Sequence, residues 1–563
     1  MICQTTSVAQ SGSQYILTKV ESSISNGIPD FKIIGLADTV IKESSARVKN
    51  AIINSKLNFP TNKITINMLP ANFSKKGSHF DLAIAISILQ STNQVKKVES
   101  DEYAFFGELS LSGDLVALDN LLPYIIEAES KKFKTIFIPK SNKIDDNIVK
   151  ELMKNCKVIG ASNLRDVVDY INGDVELTEL NRRNKEVGVI EDTNVIIEKN
   201  SDEEWDWILG QEDIKRAILI SISGGHNMLM VGAPGVGKTV LAKMCRTIMP
   251  RLDYENALDV MKIYSLTDKS KHFDRDIFEA PFRNPKVNIS NASMIGGGIV
   301  PKPGEVSLAH KGILFLDELP NFSREILKNL TQIMDEKQVS IIREKANYVF
   351  PSDFILICAM NPCKCGYYGD NEHNCTCSQS DIYKYLQAIT GALLDRIDIK
   401  IRVNRIEGEV WSEGLVREEF EKYNYEEKTV QNMQGCGKTV HLKNEKLRST
   451  VGNNHHMSVQ NMRDVVMRAR EIQKNRNRMY KSKSEYRNYL NGSLEDDEIE
   501  RVCNIGMKEM KFLRDAYEKL EMSHRGYKKV LRLSRTIADL DQRRNIEMMD
   551  IAEALQYRQE DII

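Results

Sequence analysis

Three short apolar runs with no polar residue inside them mark the middle of the chain: Met228-Leu-Met-Val231, Ile313-Leu-Phe-Leu316 and Ile355-Leu-Ile-Cys-Ala-Met360. Runs of this length predict strands buried on both faces of a sheet. After the first run, Val240-Leu-Ala-Lys-Met-Cys-Arg246 carries apolar residues at helical spacing, the succession of an α/β domain. The first third of the chain reads differently. Lys63-Ile-Thr-Ile-Asn-Met-Leu69 alternates like a half-buried strand, Asp81-Leu-Ala-Ile-Ala-Ile-Ser-Ile-Leu89 suits a buried helix, and Thr135-Ile-Phe-Ile138 stops at Pro139 like a core strand. Toward the C-terminus, Asn461-Met-Arg-Asp-Val-Val-Met-Arg-Ala-Arg470 and Val530-Leu-Arg-Leu-Ser-Arg-Thr-Ile-Ala-Asp-Leu540 combine many charges with helical periodicity. The expected organisation is an α+β domain over 1–172, a polar, acidic linker over 173–204, an α/β core over 205–404 and a helical domain over 405–563. No internal repeat interrupts it.

Composition narrows the partners. Lys and Arg total 78 against 79 Asp and Glu, a formal charge of -1, so no global field draws nucleic acid or an acidic membrane, and any basic surface is local. From Arg463 to Arg487 the chain carries Arg468, Arg470, Lys474, Arg476, Arg478, Lys481 and Lys483 with few acids between them. Such a run either tracks phosphates or forms a solvated helix face or subunit contact. No apolar run approaches the ~20 residues needed to cross a bilayer, and the N-terminus lacks a basic segment followed by an apolar one. The expectation is a soluble, cytoplasmic protein without a membrane partner.

Between the first apolar run and its helix stands Gly232-Ala-Pro-Gly-Val-Gly-Lys-Thr239. This G-x-x-x-x-G-K-[ST] spacing is a phosphate cradle: glycines let backbone N–H groups turn toward one anion, Lys238 reaches the β- and γ-phosphates, and the Thr239 hydroxyl ligates Mg²⁺. Gly232, Pro234, Gly235, Val236, Gly237, Lys238, Thr239 and Val240 are therefore the candidate ATP contacts. The second run ends in Asp317-Glu318, where Asp317 is placed to hold the metal and Glu318 to activate water. Asn361 follows the third run, where an amide either positions water or, before Pro362, forms a turn. Arg396 stands between Asp395 and Asp398, placed either for a surface ion pair or for the transition-state charge of a neighbouring subunit's site.

Ten cysteines are scattered except for Cys363-Lys-Cys365 and Cys375-Thr-Cys377. Four thiolates suit tetrahedral Zn²⁺, with His373 as a reserve ligand, and the alternative is free thiols or a redox pair, since C-x-C is a less specific spacing than C-x-x-C. Gly435-Cys-Gly-Lys-Thr439 imitates the end of a phosphate loop, but its first glycine position is Asn432 and no apolar run precedes it.

At these residues the chain resembles the magnesium-chelatase-like AAA+ ATPases of the bacterial ComM/YifB type. The resemblance also rests on Gly210-Gln211, Gly224-Gly-His-Asn227, Pro281-Phe-Arg283, Gly296-Gly-Gly298, Pro303-Gly-Glu-Val-Ser-Leu-Ala-His310, Leu393-Leu-Asp-Arg-Ile-Asp398 and Arg535-Thr-Ile-Ala-Asp-Leu540. In the first third it rests on Ile34-Gly-Leu-Ala-Asp38, Lys42-Glu-Ser44, Gly77-Ser-His-Phe-Asp81 and Gly107-Glu-Leu-Ser-Leu111. It implies a P-loop AAA+ core, a parallel sheet flanked by helices, with an N-terminal α+β domain like that of Lon protease and ribosomal proteins, and a C-terminal helical lid. It further implies Asn361 as first sensor, Arg396 as arginine finger acting in trans, and Arg525 as second sensor, with Arg532 and Arg535 as alternatives. Gly296–Gly298 resembles the family's hairpin inserted into a helix. The implied activity is ATP hydrolysis by a hexameric ring working on DNA without sequence specificity, as in helicase or branch-migration work. A chelatase-like or protein-remodelling ATPase without DNA activity is the alternative. The Lon likeness raises peptidase chemistry through Ser78 and the neighbouring Lys75 and Lys76, but the Lon nucleophile motif is absent and Ser78 reads as a turn or cap residue before the Asp81 helix.

Overall fold

Seven of the eleven residues of the helix Asp81–Ser91 are apolar and all eleven are buried, so it is stable only inside a core. It packs on a seven-stranded sheet. The first strands are β1 (Ile2–Ser11), β2 (Gln14–Ser25), β3 (Asp30–Ile34), β4 (Lys63–Leu69) and β5 (Tyr103–Phe105). A short ribbon follows, β6 (Glu108–Leu109) with β7 (Leu115–Val116), and then β8 (Thr135–Pro139) and β9 (Lys157–Ala161). The order in the sheet is β3-β4-β2-β1-β5-β8-β9. The carboxylate of Asp81, buried at the head of the helix, accepts from Arg47 Nε at 2.7 Å and from the Leu109 N–H at 3.3 Å. Adjacent residues of a strand face opposite ways. Ala9 accordingly joins the cluster around this helix, whereas Val8 joins another with Phe106, Ile136 and Ile138. That second cluster includes Leu258, Met261 and Ile277, so the helix Tyr254–Ser265 is packed against the N-terminal sheet, and Tyr15 Oη lies 2.6 Å from Ser265 Oγ.

The computed structural model describes residues 2–11, 14–73, 75–142, 156–177, 179–180, 211–267, 277–298, 301–343, 346–370, 372–404, 459–479, 489–503 and 505–558. Most of the expected linker, Gly210, the glycine-rich decoy at 435–439, and Lys481, Lys483 and Arg487 lie outside these.

The second sheet is built from the apolar runs. Its strands are β10 (Met228–Gly232), β11 (Phe282–Arg283), β14 (Ile313–Leu316), β17 (Ile355–Met360) and β18 (Ile399–Val403), in the order β11-β14-β17-β10-β18, and every neighbouring pair is parallel. Every residue of β10, β14 and β17 is buried, as unbroken apolar runs require. Two hairpins leave this body: β12 (Gly296–Gly297) with β13 (Lys302–Pro303), and β15 (Gln338–Arg343) with β16 (Ala346–Pro351). They lie side by side, with Arg343 Nη2 donating to Gly298 O at 3.4 Å.

The helices Val459–Asn477 and His524–Leu540 pack against Glu212–Gly224, joining the helical region to the parallel sheet. Much of the basic run does this work rather than forming a free track for phosphates. Arg463 donates to Thr247 O, Arg470 to Ile222 O at 2.6 Å, and Arg476 to both carboxylate oxygens of Asp539; Lys474 pairs with Asp253. Unpaired carbonyls at the ends of neighbouring helices are good acceptors for guanidinium groups, and here they have claimed them.

Gly224 sets how closely the helical region seats. A Cβ there would stand 2.3 Å from His226 Nε2 and 2.6 Å from Thr536 Oγ1. Gly224→Ala should cost roughly 1–3 kcal/mol by overpacking, lower the melting temperature, and raise hydrogen exchange in His524–Leu540 more than in β10. An unchanged melting curve would contradict this seating.

Candidate active site

In an open parallel sheet, ligands bind beyond the carboxyl ends of the strands. Gly232 ends β10, and a Cβ on it would stand 2.4 Å from Val403 O, so glycine lets β18 approach. Gly235 and Gly237 have φ of +83° and +87°, a left-handed conformation suited to glycine. A Cβ built at either meets nothing within 4 Å. The loop thus arches around open space, with Pro234, Gly235, Thr239 and Val240 exposed and Val236 and Gly237 partly so. It leads into the helix Lys238–Thr247, whose first N–H groups have no side-chain cap. This is a cradle for an anion such as a nucleotide phosphate.

Five expected residues converge at the cradle. Lys238 is only 9% exposed, and its ammonium donates to Gly232 O at 2.7 Å, Ala233 O at 2.9 Å and Asn361 Oδ1 at 3.0 Å. Burial lowers its pKa, an effect opposed by the nearby Asp317 and Glu318 carboxylates. Thr239 Oγ1 donates to Asp317 Oδ2 at 2.8 Å. A hydroxyl and a carboxylate side by side are the hard oxygen donors Mg²⁺ prefers, so this pair fits the metal. Glu318, exposed, sits at φ +53°, an uncommon conformation for a side-chain-bearing residue, and Asn321 Nδ2 holds its Oε2 at 3.0 Å. Asn361 is therefore more than a turn former, because its side chain aims the lysine.

Arg396 and Arg525 lie elsewhere. Arg396 pairs with neither sequence neighbour: Nε donates to Asp335 Oδ1 at 2.8 Å, Nη2 to Asp335 Oδ2, and Nη1 to Ala392 O at 2.6 Å. This guanidinium holds the Asp335 carboxyl below the usual carboxylate range. The Arg396 carbonyl accepts from Asn227 Nδ2, just before β10 begins, whereas the cradle starts where β10 ends. Five residues of strand put roughly 15 Å between the two, more than an arginine side chain spans. Arg525 is exposed, with Nη1 4.0 Å from Asp395 Oδ2. Arg532 is bound to Leu494 O, and Arg535 is buried against Asp539 and the carbonyls of Arg543 and Arg544. Of the three candidates for second sensor, Arg525 is the one at the surface, beside the Arg396 segment.

The four clustered cysteines meet, their sulfurs all within 4.8 Å of one another. N–H groups of Tyr367 and Thr376 bond to the Cys365 sulfur and hold that thiol well below its usual range. His373 stays outside the group, stacked on Tyr367 at 4.9 Å with Nδ1 3.6 Å from Asp370. Among the described residues of the N-terminal domain, Ser78 and Lys75 do not pair with each other. Ser78 Oγ donates to Glu108, while the buried Lys75 ammonium bonds the carbonyls of Gly35, Pro70 and Phe73.

Sequence reasoning missed Asn321 and the β15–β16 hairpin, and it gave no role to His226 and Asn227. His226 Nε2 is 2.7 Å from Thr536 Oγ1 and Nδ1 is 3.4 Å from Asp398, while Asn227 bonds Arg396 O and the Leu356 N–H. The β-branched alternation of Gln338-Val-Ser-Ile-Ile-Arg343 was a signal for the hairpin.

Comparison with known proteins agrees along the chain. The family description "Magnesium chelatase, subunit ChlI" matches residues 204–411, "Subunit ChlI of Mg-chelatase" 20–142, and "Magnesium chelatase, subunit ChlI C-terminal" 456–558. The chain is 34% identical over 550 residues to Competence protein ComM of Haemophilus influenzae, covering 98% of this chain and 96% of that protein. It is 32% identical over 539 residues to the uncharacterized protein YifB of Escherichia coli, covering 96% and 93%. A shorter match, 27% identical over 164 residues, links 28% of the chain to 20% of the Lon protease of Aster yellows witches'-broom phytoplasma. The parallel sheet, the helical C-terminal region and near full-length identity together establish that the chain belongs to the ComM/YifB family of magnesium-chelatase-like AAA+ proteins.

Proposed function

We propose that the protein hydrolyses ATP as a homo-hexameric AAA+ ring in the cytoplasm and uses the energy to move or remodel DNA without reading its sequence. The convergence of Lys238, Thr239, Asp317, Glu318 and Asn361 on the cradle of Gly235 and Gly237 carries this reading. Lys238 exchanges its two carbonyl acceptors for phosphate oxygens while Asn361 keeps it aimed. Thr239 and Asp317 would hold Mg²⁺, which would supply positive charge to neutralise that developing on the phosphates. Glu318 orients the attacking water and takes its proton, with Asn321 holding the carboxylate in place beforehand. Arg396, too far from its own cradle, acts in the site of the next subunit, and Arg525 of the lid stands beside it as second sensor. Cys363, Cys365, Cys375 and Cys377 hold one Zn²⁺.

DNA as the substrate rests on the family resemblance and on the paired hairpins, which present the exposed side chains of Lys302, Ile342 and Arg343. No helix among the described residues is long and apolar enough to cross a membrane.

ATP turnover measured with and without forked or single-stranded DNA should rise with DNA. No stimulation and no binding at low salt would favour a chelatase-like or protein-remodelling ATPase instead. Lys238→Ala should abolish nucleotide binding, whereas Arg396→Ala should bind normally and turn over roughly a thousandfold or more slowly. Full activity in an isolated monomer would overturn the ring. Asn361→Leu leaves a buried ammonium one acceptor short and should cost about 1–3 kcal/mol of stability in the nucleotide-free protein, read by thermal melting.

A further inference from the structure

Building on the zinc reading above, we propose that the four-cysteine loop is a metal-dependent clamp on the phosphate loop, so that Zn²⁺ on these thiols sets how tightly nucleotide is held. The sulfur spacing suits a metal. A tetrahedral zinc with Zn–S near 2.3 Å has S···S edges of about 3.8 Å. The separations are 3.3 Å for Cys363–Cys365, 3.6 Å for Cys363–Cys375 and 3.5 Å for Cys365–Cys375. A disulfide requires about 2.05 Å, so the cluster has the dimensions of a coordination shell rather than of a covalent link.

The loop touches the nucleotide machinery at three places. Asn361, two residues before Cys363, accepts the Lys238 hydrogen bond. Gly366, next to Cys365, has φ of +92° and lies so close to Pro234 of the phosphate loop that a Cβ on it would stand 2.5 Å from the proline Cδ. Further on, Tyr368 O accepts from Arg402 Nη2 at 3.3 Å, and Arg402 is paired with Val231 in the β10–β18 register. Pro234 therefore bears directly on the loop that the cysteines draw together.

From 361 to 378 the segment reads Asn-Pro-Cys-Lys-Cys-Gly-Tyr-Tyr-Gly-Asp-Asn-Glu-His-Asn-Cys-Thr-Cys-Ser. Apart from its two tyrosines it has almost no large apolar surface to bury. A segment that cannot build its own core takes its shape from a cross-link, and a metal joining Cys363 and Cys365 to Cys375 and Cys377 supplies one. With the metal gone, the Gly366 backbone is no longer pressed on Pro234. The phosphate loop then has more freedom to lose when it closes on nucleotide, and binding weakens.

The test uses the full-length protein, with elemental analysis for metal and direct binding of a fluorescent ATP analogue, independent of turnover. We expect one zinc per chain, nucleotide affinity reduced roughly tenfold on stripping the metal with a chelator, the equivalent of ordering one or two extra side chains, and recovery when zinc is returned. Gly366→Val should keep the zinc and weaken nucleotide binding at least as much, because it forces Pro234 aside and strains a backbone held at φ +92°; Cys375→Ser should lose both. Absence of zinc, with all four thiols titrating freely, would overturn the zinc site. One zinc per chain with affinity unaltered by stripping and by Gly366→Val would overturn the clamp and leave the zinc site standing. Undiminished binding of the ATP analogue by Lys238→Ala would instead count against the nucleotide reading itself.

Discussion

How two polar residues, the buried His226 and the half-buried Asn227, find partners determines the arrangement of the ATPase region. A buried polar group without a partner costs about 1–3 kcal/mol, so their hydrogen bonds act as constraints. Asn227 spends its amide on Arg396 O and the Leu356 N–H, and its own carbonyl accepts from the N–H groups of Asp398 and Ile399. His226 bridges Asp398 and Thr536. One dipeptide thereby fixes four elements: β10 with its phosphate loop, β17 with Asn361 at its end, the segment bearing Arg396, and the lid helix His524–Leu540. A displacement of that helix cannot leave the Arg396 segment untouched, because Asp398 and Arg396 are two residues apart and both are bound here.

The same constraint divides the expected site residues. Lys238, Thr239, Asp317, Glu318 and Asn361 gather beyond the carboxyl ends of the strands, where the backbone runs out and side chains take over. Arg396 is tied beside the other end of β10, where its guanidinium rests on Asp335 and on the carbonyl of Ala392. A parallel sheet cannot bring both of its ends to one phosphate. On the proposed ring reading the arginine reaches the cradle from a neighbouring copy, and Arg525, 4.0 Å from Asp395, lies beside the same segment.

Legibility in the sequence followed the physics of burial. β10, β14 and β17 were plain because a strand covered on both faces needs apolar residues throughout, and the helix Asp81–Ser91 because one buried all round is mostly apolar, as in Leu82–Ile86. The residues at the strand ends could be named because loop chemistry demands particular types at fixed spacing, glycine at positive φ and lysine after it. What the sequence hid depends on partners distant along the chain. Arg470 looks like an arginine free to meet a phosphate until Ile222 O is seen in front of it, and Arg396 gave no sign of choosing Asp335 over Asp395 or Asp398. The β15–β16 hairpin escaped notice for another reason: its faces are only partly buried, so its alternation is weak beside the runs on either side.

The N-terminal domain is tied into this machinery. The helix Tyr254–Ser265 is clamped by Val8, Phe106 and Ile138 from the sheet, through Leu258 and Met261. Near its end Tyr264 donates through its hydroxyl to Leu308 O, in the short helix Glu305–Leu308 that follows the β12–β13 hairpin. That helix is anchored in turn, since Arg283 of β11 grips Glu305 with two hydrogen bonds of 2.6 and 2.8 Å. Packed cores deform little, so a load on the hairpin reaches Leu308, then Tyr264, and then the sheet behind it. Ser78 and Lys75 of that domain are each bound to other partners, Glu108 for the serine and the carbonyls of Gly35, Pro70 and Phe73 for the lysine. Its sheet presents an apolar face to the helix Tyr254–Ser265, and Tyr264 of that helix reaches the segment next to the hairpin.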